Sequence, residues 1–101
     1  MSTDTDIVID EKIDEIVLVP PRYKVVLLND NETPMEWVIE VLVSIFKHSQ
    51  ATAQDLTMII HNDGAGIAGI YTYEIAEQRS LEAVSASRER GFPLQIKLEE
   101  E

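Results

Sequence analysis

The chain has 101 residues and a formal charge of −11, from 19 Asp and Glu against 8 Lys and Arg. That length predicts one domain with a modest core, not an enzyme around a large cleft, and that charge argues against a phosphate-backbone partner, whose affinity would rest on Lys and Arg. The absence of cysteine excludes a disulfide framework, a thiol nucleophile and a thiolate metal site.

No apolar run reaches the ~18 residues of a membrane span, and the N-terminus lacks the basic region and apolar core of a signal peptide. A soluble cytoplasmic protein is expected, with neither nucleic acid nor membrane as partner.

Residues 1–19 carry six acids (Asp4, Asp6, Asp10, Glu11, Asp14 and Glu15) against Lys12, with Ile and Val scattered at no clean period. They read as a flexible acidic extension that ends at the stiff Pro20-Pro21 break, and residues 20–101 as the core domain. Tyr23 to Leu28, apolar apart from Lys24, predicts a strand buried on much of both faces.

Asn29, Asp30 and Asn31 then form a polar corner ahead of a helix. Thr33-Pro34-Met35-Glu36 carries three start signals: a Thr cap, a Pro in the first turn, and a Glu placed to close a capping box. Val38, Val41, Leu42, Ile45 and Phe46 recur at helical spacing, with Glu36, Glu40, Ser44 and Lys47 elsewhere on the wheel.

Ser49 is expected to cap a second helix whose inner stripe is Ala53, Leu56, Ile59 and Ile60, and Asn62-Asp63-Gly64 to stop it. Residues 66–72 return to β character. Thr72 is then expected to cap a third helix reaching about Arg90, with the small residues Ala76, Ser80, Ala83, Val84 and Ser87 on its inner side. Arg88, Arg90, Gly91 and Pro93 mark its end. Leu94, Ile96 and Leu98 alternate with polar residues in a last strand. The fold expected is α+β: a small two-layer α/β sandwich in the order β-α-α-β-α-β, with a three-stranded, mainly antiparallel sheet and three helices.

Three motifs are weaker than they look. Gly64-Ala-Gly-Ile-Ala-Gly69 matches G-x-G-x-x-G, but a helix precedes it and a strand follows, the reverse of a dinucleotide loop; it reads as helix stop, turn and tight packing. His48 and His61 lack the close companions of a zinc site, so neither metal nor cofactor is expected. His61 reads either as a helix-end residue or as a hydrogen-bonding wall of a pocket, with Thr57 one turn earlier. No serine sits in a nucleophile elbow, and no carboxylate pair stands out, so catalysis is not expected.

Pro20-Pro-Arg-Tyr-Lys-Val-Val-Leu-Leu-Asn-Asp-Asn-Glu-Thr-Pro-Met-Glu-Trp-Val38 closely resembles the start of the ClpS family, adaptors of the ATP-dependent Clp protease. Ile60-His61, Gly69-Ile-Tyr-Thr-Tyr-Glu-Ile-Ala-Glu77 and Gly91-Phe-Pro-Leu94 follow in the family's order, so the resemblance covers about Pro20 to Glu101. It implies a non-enzymatic adaptor, monomeric when free. Such an adaptor binds substrates by an N-terminal Leu, Phe, Tyr or Trp and hands them to the N-terminal domain of a ClpA-type or ClpC-type AAA+ unfoldase.

The resemblance places Asn29, Asp30, Asn31 and His61 around the α-ammonium group and Met35, Val38, Thr57, Ile60 and Leu94 around the side chain. Met35 matches a gate against β-branched residues, and Glu74 and Arg79 match the positions that dock on the unfoldase. Two positions depart from the family: Asn31 replaces a usual Asp, and Thr57 stands where many members carry Met. These departures leave open a rival that binds the unfoldase but recognises N-terminal residues weakly, differently or not at all. A small enzyme using Asp30 and His61 is the other rival.

Overall fold

The computed structural model describes residues 19–101, so of the expected acidic extension only Val19 lies among the described residues. The elements are β1 (Arg22–Leu28), α1 (Met35–Ser44), α2 (Gln50–Asp63), β2 (Ala65–Thr72), α3 (Tyr73–Glu89) and β3 (Gln95–Glu100). The sheet runs β2-β1-β3 with both pairings antiparallel, which gives the expected order and sandwich. The apolar run of β1 has its reason here. The strand is central, and Val25, Val26 and Leu27 are buried in succession.

α3 lies across all three strands, α1 packs on α2, and α2 packs on β2. One core cluster joins Val25 and Leu27 of β1, Val41 and Leu42 of α1, Ile60 of α2 and Ala76 and Ala83 of α3. The two alanines let α3 approach the sheet closely. A bulge interrupts β2, because Val25 pairs with Gly69 and Val26 with Ile67, leaving Ala68 between them. His48 meets the displaced carbonyl: its Nε2–H donates to Ala68 O. That is a structural role for a histidine with no other assigned part.

Ser49 caps α2 as expected, its hydroxyl accepting from the Thr52 amide at 3.2 Å, and Gly64 closes the helix at φ 90°. The inner stripe differs at one place. Ile59 is 44% exposed, whereas Thr57 is 3% exposed and shares the inner face with Ala53 and Ile60. Ile59 sits about 100° round the helix from Ile60 and turns out of the core. Thr57 is tolerated inside because its hydroxyl donates to Ala53 O at 2.8 Å.

The expected capping box before α1 does not form. Pro34 itself occupies the N-cap position, and Thr33 is spent elsewhere: its Oγ1 donates to Asp30 Oδ2 at 2.7 Å. Asp30 Oδ1 accepts from the amides of Glu32 at 2.8 Å and Thr33 at 2.6 Å, so the carboxylate staples the corner. Burial pushes the Asp30 carboxyl up. The bonds from Thr33 and Glu32 and the positive charge of Arg88 outweigh that, holding it below its ordinary 3.8. Thr72 likewise stands at the N-cap of α3 without a side-chain capping bond.

α3 ends at Arg90 with Gly91 at φ 80°. Arg88 does more there than oppose the helix dipole, since its Nη1 donates to Phe92 O and Leu94 O, both at 2.9 Å, and ties down the turn into β3. A polar clip joins α1 to α3: Trp37 Nε1 donates to Ser87 Oγ at 2.8 Å, and Ser87 Oγ donates to Ala83 O at 2.7 Å.

Ser87→Ala should leave the Trp37 N–H unpaired and lower stability by ~1–3 kcal/mol in urea unfolding followed by circular dichroism. A loss under ~0.5 kcal/mol would mean the clip adds nothing. The depressed Asp30 carboxyl contributes stability that is complete above its unfolded value and is lost as pH falls through the lower folded value. Asp30→Asn should therefore be less stable than the parent at neutral pH. The difference should shrink below about pH 4 in acid titrations of Trp37 fluorescence; a gap that persisted unchanged into stronger acid would contradict the staple.

Candidate functional site

The site forms where two chain ends of secondary structure are tied together. The Asn29 amide, just past β1, donates to Gly64 O, at the stop of α2, at 2.9 Å. That bond continues the β1–β2 ladder past its Leu28–Ala65 pair, and the ladder sets the polar corner beside the last turn of α2, which carries His61. α1 leaves the same corner and presents Met35 and Val38 from its first turn.

Between them lies a cavity of about 190 Å³ lined by Asn29, Asp30, Asn31, Thr33, Met35, Val38, Thr57, Ile60 and His61. Its composition is graded. Asn29, Asn31 and His61 are exposed at the rim, while Val38, Thr57 and Ile60 are buried in the wall, and Met35, at 38% exposed, lies at the mouth. Gly66 shapes that wall, since a Cβ there would stand 2.7 Å from Ile60 Cγ1.

The corner therefore offers oxygen acceptors and one carboxylate charge over an apolar recess. A cationic, donor-rich group suits the rim and an apolar side chain suits the recess. The pairing of such groups on one ligand is what the geometry favours. Among the described residues no group of three or more acidic or histidine side chains is placed to hold a metal, and no helix is long and apolar enough to cross a membrane.

Eight of the nine residues that the family resemblance places at this site line the cavity. Leu94 does not: its side chain is enclosed in the interior at 1% exposed. Thr33 lines the cavity without having been assigned to it. The signal was present in Asp30 and Thr33, three residues apart, a spacing that serves an Asx-type turn as well as a helix cap.

The two residues matched to unfoldase docking are five apart on α3 and face different hollows. Glu74 borders one of about 370 Å³ with Pro20, Pro21, Tyr23, Thr72 and Tyr73. Arg79 borders another of about 300 Å³ with Ile45 and Lys47. Its guanidinium donates to Ile45 O and lies 5.2 Å from the Tyr71 ring centroid.

With this geometry in hand, the resemblances of the chain are specific. Residues 19–97 match the family model of the ATP-dependent Clp protease adaptor protein ClpS. The ATP-dependent Clp protease adapter protein ClpS of Treponema denticola is 42% identical over 87 residues, 86% of each chain. That of Campylobacter jejuni is 46% identical over 82 residues, 81% of this chain and 85% of its own. The structure of Agrobacterium tumefaciens ClpS2 bound to L-phenylalaninamide superposes with a TM-score of 0.80 at 38% identity, covering 82% of this chain and 100% of that one. The chain belongs to the ClpS family of adaptor proteins of the ATP-dependent Clp protease and is an adaptor, not an enzyme.

Proposed function

We propose that the cavity at the β1–α1 corner takes the N-terminal residue of a substrate protein, which the adaptor then passes to a Clp unfoldase. The observation that carries this reading is a cavity with an acceptor-lined rim and a largely apolar wall. An α-ammonium group has three N–H donors and a positive charge. Asn29 and Asn31 supply amide oxygens, His61 supplies an unprotonated ring nitrogen, and Asp30 supplies negative potential without leaving its loop. The net charge of −11 attracts the same group at longer range.

The recess is sized for a large side chain. Rim and recess together measure about 190 Å³, against ~150 Å³ for an enclosed apolar cavity that admits benzene, which is the scale of a phenyl or isobutyl group with its amine at the rim. Met35 at the mouth is positioned to disfavour branching next to the backbone, where one misplaced methyl is worth ~1–3 kcal/mol. The Agrobacterium relative supports the reading by its ligand. L-phenylalaninamide is a free amine with a benzyl side chain and an amide where a peptide would continue.

Delivery to the N-terminal domain of a ClpA-type or ClpC-type unfoldase, in the cytoplasm, completes the proposal. Glu74 is exposed and available for docking, whereas Arg79 must first release Ile45 O and the Tyr71 ring. Residues 20–101 act as the recognition domain in this scheme.

One observation favours the second reading, an unfoldase modulator with weak or altered N-terminal recognition. Asp30 is already bonded three times within its loop, and Asn31 adds no charge, so the rim holds less free carboxylate than a corner with two Asp residues.

A labelled peptide beginning with Phe should bind in fluorescence anisotropy, and acetylation of its α-amine should abolish binding. Equal affinity for the acetylated peptide would remove the mechanism and leave the modulator. His61→Ala should weaken binding roughly 10- to 100-fold, the range for a bond to a charged donor. Asn31→Asp should strengthen it by about fivefold, because a charge-assisted bond replaces a neutral one. An unchanged affinity in Asn31→Asp would mean that this side chain does not face the amine.

A further inference from the structure

Thr57 is the one polar side chain in the buried wall of the cavity, where its neighbours are Val38 and Ile60. Its chemistry there is one-sided. A hydroxyl has one donor and two acceptor lone pairs, and the proton of Thr57 is committed to Ala53 O at 2.8 Å. What it offers a ligand is an acceptor only. Met58 does not mask it, being 47% exposed and outside the cavity lining.

Position matters as much as polarity. Thr57 and His61 are four residues apart on α2, hence on one face and ~6 Å apart along the axis. A ligand whose amine sat at His61 and whose side chain entered the recess would run alongside Thr57, about one helical turn away.

We infer, on the basis of the N-terminal recognition proposed above, that Thr57 is a specificity-determining residue. It selects first residues whose aromatic ring carries an O–H or N–H donor, Tyr or Trp, over Phe and Leu. Phe leaves the hydroxyl oxygen facing carbon, whereas a ring donor meets it. The gain is that of one neutral hydrogen bond, roughly two- to tenfold in affinity.

The test uses peptides identical except for the first residue: Phe, Tyr, Trp, and 3-benzothienylalanine, which replaces the indole N–H by sulfur at nearly constant shape. Anisotropy titrations with the full chain should give tighter binding for Tyr than Phe, or for Trp than benzothienylalanine, by roughly two- to tenfold. Thr57→Val keeps the shape and removes the acceptor, so that ratio, read within the variant, should fall to one or below. Thr57→Ser should retain it.

Ratios of one or less in the parent chain would overturn the proposal whether or not Thr57→Val folds, and so would ratios that Thr57→Val leaves unchanged. If the Phe peptide binds no better than its acetylated form, the recognition reading itself fails, and the role of Thr57 falls with it.

Discussion

The site depends on the antiparallel β1–β2 ladder, which pairs Leu28 with Ala65 and runs on in the bond from the Asn29 amide to the Gly64 carbonyl. Asn29 and Gly64 are far apart in sequence and belong to loops that end different elements. Tying them places the polar corner after β1 against the final turn of α2, and α1, which leaves the same corner, completes the enclosure. Gly64 can serve this purpose because its φ of 90° stops the helix and turns its carbonyl toward the corner.

The division of labour around the cavity follows from what each polar group has already committed. Asp30 gives its oxygens to Thr33 and Glu32, so its service to a bound cation is mainly electrostatic, and its position is firm because three bonds hold it. Asn29, Asn31 and His61 are exposed at the rim and make no side-chain hydrogen bond among the described residues. Beneath them, the packing of α1 on α2 brings Val38, Thr57 and Ile60 to one wall, and Gly66 gives Ile60 room to lie there. Rigid framework and adaptable rim are thus different residues, as binding sites on short loops beside packed helices require.

The opposite region is built on tethers instead. Arg79 holds the C-terminal end of α1 to α3 through Ile45 O and rests on Tyr71, while Trp37 and Ser87 clip the other end of α1 to α3. α1 is fastened at both ends, which keeps Met35 and Val38 in register with α2. In a chain with a modest core, such polar fasteners do what a larger apolar interior would do elsewhere.

Much of this was legible in the amino-acid order. The central strand, the helical stripe of α1, the Ser49 cap, the glycine stops at 64 and 91 and the β-α-α-β-α-β order all follow from local rules of period, capping and backbone freedom, which operate within a few residues. Eight of the cavity residues were legible through the family resemblance of their motifs. The places where local rules misled are those where a side chain had two partners to choose from. Thr33 took Asp30 instead of capping α1, and Thr57 took Ala53 O and an inner position on α2, where Ile59 had been expected.

Sequence alone thus determined which elements form and which residue types stand at their ends. Only the tertiary structure decided which polar groups remain free, because hydrogen bonds between distant residues compete on equal terms with local ones, and the winner depends on what packing brings within reach.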